Sequence, residues 1–315
     1  MATYLITGGL GFIGSHLADA LVARGDNIRI LDDLSTGRRS NAPEQAEIII
    51  GDVADRKTTA EALAGTDGCF HLAAIASVEK GNEEWLGTHH TNLGGTVAVL
   101  EAARKARKAR NGEPVPVVFA SSAAIYGDNP HVPLAENAAA RPLSAYGVDK
   151  LGSELHARIA LTVHDLPTTC LRFFNVYGPR QDPRSPYSGV IAIFAERLLK
   201  GEPVKIFGDG EQTRDFTYVS DVVRFLLAAA DRRPIRRQIF NVCTGRATSV
   251  RQLAMTIAGI CAVKPVLNFS RPRLGDIRRS CGDPSRAMMT LGIKAETCLT
   301  EGLERTLHWI GNGAP

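Results

Sequence analysis

Along the first half of the chain, short apolar runs rich in β-branched residues alternate with longer stretches of helical period. The runs fall at Tyr4 to Thr7, Asn27 to Leu31, Ile48 to Ile50, Cys69 to Ala73, Val115 to Ala120 and Thr168 to Arg172. Repeated strand-helix punctuation of this kind predicts parallel strands joined by right-handed crossovers. The expected fold class is therefore α/β, a doubly wound parallel sheet with its ligand crevice at the carboxyl ends of the strands. After Asn175 the pattern breaks into Tyr177-Gly178-Pro179-Arg180-Gln181-Asp182-Pro183-Arg184-Ser185-Pro186, a loop where a smaller C-terminal domain is expected to begin. Phe216 to Ala230 and Gln238 to Val242 read again as helix then strand, so the chain is expected to revisit the sheet. The expected division is 1–175 with a return at 214–245 for the first domain, and 176–213 with 246–315 for the second.

Composition narrows the class. Over 315 residues, 44% are hydrophobic and 22% charged, which excludes disordered, coiled-coil, collagen-like and disulfide-scaffold proteins. The uncharged opening stretch from Met1 to Ala18 lacks a basic start and carries Gly8, Gly9, Gly11 and Gly14, so it reads as neither signal peptide nor membrane span. A cytoplasmic protein with no membrane partner is the expectation. Cys69, Cys170, Cys243, Cys261, Cys281 and Cys298 are scattered without metal-ligand spacing, so reduced thiols and no metal are expected. The net charge of +4 is carried partly by Arg104, Lys105, Arg107, Lys108 and Arg110 and by Arg232, Arg233, Arg236 and Arg237. The first cluster reads as a solvated helix end. Aromatic residues are only 6% and none interleaves with these clusters, so a nucleic-acid partner is not expected.

The run Tyr4 to Thr7 leads directly into Gly8-Gly9-Leu10-Gly11-Phe12-Ile13-Gly14, and Asp32 closes the next run 18 residues past Gly14. A strand, a G-x-x-G-x-x-G turn and an apolar-faced helix make a dinucleotide site. Side chains at the glycines would block a pyrophosphate from the backbone N–H groups at the helix start. Asp32 would accept from the adenosine ribose hydroxyls and repel a 2′-phosphate, which favours NAD over NADP. Gly51-Asp52-Val53 and His71-Leu72-Ala73-Ala74 follow later strands, where small residues let a cofactor approach. His71 itself reads equally as a satisfied core histidine or as a ligand-facing one.

Ser121-Ser122 ends a strand, and Tyr146 and Lys150 lie four apart on a helix, on one face. The ammonium, together with a cationic nicotinamide, would lower the phenol's pKa toward working pH. With Thr7 to Gly14, Ser121-Ser122-Ala123 and Arg172-Phe173-Phe174-Asn175, this pair resembles the extended short-chain dehydrogenase/reductases. Ala73-Ala74-Ile75-Ala76-Ser77-Val78, Asn175 to Gln181, Gly208 to Phe216 and Arg273-Leu274-Gly275-Asp276 are most similar to the UDP-sugar 4-epimerases of the NAD-dependent epimerase/dehydratase family.

The resemblance implies a Rossmann domain with a nucleotide-sugar domain, and an isomerase acting at C4 of a UDP-hexose through a transient 4-keto sugar. It implies Tyr146 as base, Ser122 as its hydroxyl partner and Lys150 on the nicotinamide ribose. For NAD it implies Gly8, Gly11, Phe12, Ile13, Gly14 and Asp32. Asp33, Asp52, Val53, Ala73 and Asn92 join them, with Tyr146 and Lys150. For the nucleotide sugar it implies Ser77, Ser122, Asn175, Val190, Arg214, Arg273, Asp276 and Ser280, the two arginines on the diphosphate. A small residue at Ser280 leaves room for an N-acetyl group. Ala123 and Ala124 stand where dehydratases of this fold carry an Asp-Glu pair, so elimination of water lacks its acid and base. Asp33, Ala124 and Asp149 depart from the common pattern. A homodimer is implied, through the stretch after Asn92 and the helix bearing Tyr146. The alternatives are another nucleotide-sugar oxidoreductase or epimerase, such as a uronic acid 4-epimerase, and a non-catalytic NAD-sensing protein.

Overall fold

The computed structural model describes residues 1–106, 112–182, 189–231, 238–273 and 275–312. Arg107, Lys108 and Arg110, the whole second basic cluster from Arg232 to Arg237, Pro183 to Pro186 and Leu274 lie outside the described residues.

The chain begins with β1 (Thr3–Thr7), α1 (Phe12–Ala23), β2 (Asn27–Asp32), β3 (Glu47–Ile50), α2 (Arg56–Leu63) and β4 (Gly68–His71). A bent helical passage follows: α3 (Val78–Glu83), α4 (Trp85–His89), a π turn at His90–Gly94 and α5 (Gly95–Lys105). Then come β5 (Val117–Ser122), α6 (Ala145–His164), β6 (Thr168–Phe173) and β7 (Asn175–Tyr177). Next are α7 (Val190–Leu199), β8 (Val204–Phe207), β9 (Thr213–Tyr218), α8 (Val219–Asp231) and β10 (Gln238–Val242). The chain ends with β11 (Ala247–Ser249), α9 (Val250–Ile260), β12 (Leu267–Ser270), α10 (Ser285–Leu291) and α11 (Leu299–Gly311).

Seven strands form one parallel sheet in the order β10-β6-β5-β4-β1-β2-β3. Side chains alternate across it. Ile6, Ile30 and Phe70 face α1 and α8, while Leu5, Leu31, Cys69 and Phe119 face α5 and α6. Both faces are covered, which is why these strands read as continuous apolar runs. The strand order reverses between β1 and β4, so the crevice opens at the ends of those two strands.

β9 belongs to a separate three-stranded sheet, β11-β9-β7, and β8 pairs with β12. Here the sequence reading needs correction. Phe216 to Tyr218 complete β9, and the helix starts only at Val219, because Thr213–Tyr218 pairs with a strand on each side. β4 likewise stops at His71, two residues early, since the N–H groups of Leu72 and Ala73 turn onto Thr7 Oγ1 at 3.2 Å. A core of α7, α9 and α11 covers the smaller sheets. α10, in the stretch assigned by sequence to the second domain, instead sends Ala287 and Leu291 into the core of the large sheet.

Arg104 and Lys105 occupy the last turn of α5, with Lys105 paired to Glu101 at 2.6 Å. All six cysteines are free thiols. Among the described residues no helix is long and apolar enough to cross a membrane, and no His, Cys, Asp and Glu side chains group as metal ligands.

Candidate active site

Gly8 leaves β1 with φ +69°, and its N–H donates to Leu31 O at 2.8 Å, so the turn is locked to the end of β2. A Cβ on Gly8 would stand 2.8 Å from Ala73 N, and one on Gly14 would stand 2.2 Å from Gly8 O. Only glycine fits either place. The first turn of α1, with Phe12 and Ile13, opens onto a cleft of about 750 Å³ together with Asp32, Asp33, Val53 and Ala73. Asp32 accepts from Leu10 N at 3.0 Å and Leu34 N at 2.9 Å, which braces the glycine turn. Burial pushes its carboxyl above the ordinary value, while those two N–H groups pull it back. A helix start bare of side chains, with a carboxylate at the end of the next strand, fits a dinucleotide.

The far end of the same cleft holds Ser122, Tyr146, Lys150 and Asn175. Ser122 is the last residue of β5 and its Oγ accepts from Ala124 N at 3.1 Å. Ser144 caps α6 by accepting from Gly147 N at 3.1 Å, which fixes the first turn that carries Tyr146. Lys150 follows one turn later; its Nζ lies 5.8 Å from the Tyr146 ring centre and donates to Ala120 O at 2.9 Å. Burial pushes Tyr146 up, and the hydrogen bond with Ser122 opposes it. Burial also brings Lys150 down to about 8, against the pull of Asp149.

Several expected contacts do not face the cleft. Asp52 is exposed at the rim, where it accepts from Ala54 N at 2.8 Å and lies 3.5 Å from His90. Asn92 is buried in the π turn, its amide clasping both backbone groups of Ile75 at 2.8 and 3.2 Å. Ser77 is spent on capping α3 through Lys80 N. His71 is buried between Thr7 at 2.8 Å and Thr96 at 3.0 Å, away from the cleft.

The remaining expected contacts gather on the smaller sheets. Arg214 on β9 pairs with Asp276 at 2.5 Å and donates to Ile277 O at 2.7 Å. The Arg273 guanidinium lies over the Phe207 ring at 4.2 Å. Ser280 is buried, its N–H donating to Thr213 O at 3.1 Å. Val190 opens α7 behind Gly189, which reaches the cleft. Sequence reasoning missed Arg38, Arg180, Gln181 and Asp182 on the cleft wall. Arg38 pairs with Asp182 at 2.6 Å and Arg180 with Asp19 at 2.8 Å, while His16 meets Pro179 O at 2.9 Å. The Pro- and Gly-rich loop was visible in sequence, but its seat against α1 was not.

A dinucleotide cradle beside a serine-tyrosine-lysine group defines a nicotinamide-dependent enzyme of the short-chain type. The model of the NAD dependent epimerase/dehydratase family matches residues 4–243, and the chain belongs to this family. It is similar to the UDP-glucose 4-epimerase of Mycolicibacterium smegmatis, 38% identical over 314 residues and 98% of each chain. Among solved structures, the UDP-glucose 4-epimerase of Thermotoga maritima with UDP-glucose superposes with a TM-score of 0.93 at 37% identity, covering 98% of this chain and 99% of that one. The UDP-N-acetylglucosamine 4-epimerase of Methanobrevibacter ruminantium, in complex with UDP-N-acetylmuramic acid, gives 0.92 at 34%, covering 99% and 98%.

Proposed function

We propose that this protein interconverts C4 epimers of UDP-hexoses, plain and N-acetylated, with NAD as resident cofactor. The observation that carries the reading is the convergence of Ser122, Tyr146 and Lys150 in one cleft with the glycine turn and Asp32. NAD, when bound, supplies the acceptor and donor of the hydride at sugar carbon 4. Tyr146 Oη takes the proton from the 4-hydroxyl and returns it after the sugar presents its opposite face. Ser122 Oγ hydrogen-bonds the same oxygen. Lys150 holds the nicotinamide ribose, and its positive charge favours the phenolate. Gly8, Gly11, Phe12, Ile13 and Gly14 bind the pyrophosphate, Asp32 and Asp33 the adenosine ribose, and Val53 and Ala73 pack against the cofactor. Asn92 acts through the Ile75 backbone.

Arg214 and Arg273 neutralise the diphosphate, Asp276 orients Arg214, and Asn175 and Val190 complete the nucleotide contacts. Residues 1–175 with the return at 214–245 form the cofactor domain. Residues 176–213 and 246–315 form the sugar-nucleotide domain, α10 docking back on the first. The protein works as a homodimer through α6 and the helix after Asn92.

Tyr146→Phe removes the base and leaves the cradle intact. Its epimerisation of UDP-glucose, followed by NMR, is expected to fall at least a thousandfold with bound NAD unchanged. Substantial residual turnover overturns the role. Ser280→Tyr fills the space proposed for the N-acetyl group, so turnover of UDP-N-acetylglucosamine should drop tenfold or more relative to UDP-glucose. An unchanged ratio removes Ser280 from specificity.

A further inference from the structure

The last three residues of β5 are each bonded to a side chain of α6. Ala120 O accepts from Lys150 Nζ at 2.9 Å, and Ser122 shares a hydrogen bond with Tyr146. Between them, Ser121 Oγ donates to Glu154 Oε1 at 2.5 Å. Tyr146, Lys150 and Glu154 recur every four residues, so they stand in one row along the helix. The first two belong to the proposed chemistry, and the third does not.

Glu154 is a firm anchor. It is buried, and its carboxylate takes both Nε and Nη2 of Arg172 on β6, at 2.9 and 2.7 Å. Arg172 is pinned in turn: its Nη1 donates to Tyr126 Oη at 2.8 Å and to Glu136 O at 2.9 Å. A guanidinium is always a cation, so the carboxylate beside it is ionised and only accepts, which makes the Ser121 hydroxyl the donor of a charge-assisted bond. α6 is also tied to α4, where His89 Nδ1 meets Asp149 Oδ1 at 2.8 Å. The end of β5 has less support. β4 stops at His71, opposite Phe119, so among the described residues Ala120 to Ser122 pair with β6 alone.

We propose that Ser121, anchored on the Glu154–Arg172 ion pair, is a positioning residue for the reaction: it holds the projecting end of β5 so that Ala120 O and Ser122 Oγ, on either side of it, meet Lys150 and Tyr146. The inference rests on the roles given to those residues above.

Ser121→Ala is the test, because it removes this bond and leaves the ion pair whole, whereas a change at Glu154 or Arg172 strands a buried charge. In NAD-loaded enzyme, kcat for UDP-glucose should fall about tenfold or more while KM stays within about twofold of wild type, the mark of a misplaced reacting group. Ser121→Thr, which keeps the hydroxyl, should recover most of kcat. A merely structural hydroxyl would lower the melting temperature and leave kcat per folded site unchanged. That result overturns the proposal, and so does a Thr variant no faster than the Ala variant. A second readout needs no turnover: in crystals of NAD-loaded Ser121→Ala, the Ser122–Tyr146 or the Ala120–Lys150 contact should open beyond hydrogen-bond distance. A site that superposes on the wild type overturns the proposal. A wild-type protein that turns over no nucleotide sugar sinks the proposed function, and the crystal comparison then decides the positioning role by itself.

Discussion

At His71 the protons can be placed one by one. Thr7 Oγ1 accepts from Leu72 N and Ala73 N, so its own hydrogen goes to His71 Nδ1. That leaves Nε2–H to donate to Thr96 Oγ1, whose hydrogen goes to Asn92 O at 2.7 Å. The ring is neutral, and burial holds its pKa down at about 3. As pH falls below the unfolded value of about 6.5, the unfolded chain takes a proton that the folded chain refuses, so stability is lost until pH nears 3. Urea unfolding between pH 6 and 4 should show a loss of about 1.4 kcal/mol per pH unit from this group. His71→Asn should flatten the profile by that slope, and an unchanged slope would assign the acid sensitivity elsewhere. Gly8, Asp32, Ser122, Tyr146 and Lys150 were legible in sequence because each is tied to a strand end or to helical spacing. His89 against Asp149 was not, because packing alone joins residues 60 apart in the chain.

Among the elements, the π turn at His90–Gly94 has the most to explain. One extra residue in the helix swings Asn92 inward, and its amide closes a ring with the backbone of Ile75. The backbone after β4 is held open along the cleft by that ring. Asn92→Ala should lower kcat tenfold or more and cost about 1–3 kcal/mol in unfolding, whereas Asn92→Asp, which keeps the acceptor for Ile75 N, should recover part of the rate. Wild-type kcat in the Ala variant would show the ring to be dispensable. Sequence period shows that a helix runs here, but a single inserted residue does not disturb an apolar stripe enough to be read. β9 was missed for a related reason: Phe216 to Tyr218 are apolar enough to continue a helix backwards from Val219. The partners that make them a strand lie at 175–177 and 247–249. The six strands of the first half were found because the chain buries both faces of the sheet.

On the scale of the whole molecule, α6 carries both the proposed chemistry and the proposed dimer face. One face carries Tyr146 and Lys150, and another leaves Val148, Leu155, Ile159 and Val163 exposed at 45–63% in a single stripe. A two-fold axis across this stripe would bury it against itself. In sedimentation the wild type is expected to run as a dimer of 33.8 kDa chains, and Leu155→Glu with Ile159→Glu as a monomer. A wild-type monomer would sink the homodimer. The seam between the two lobes has a different consequence. The stretch from Pro179 to Asp182 is fastened to His16 and Asp19 on the first helix and to Arg38 beyond Asp32 and Asp33. That wall of the cleft is thus tied down by two partly exposed ion pairs, whose hold weakens as the ionic strength outside rises.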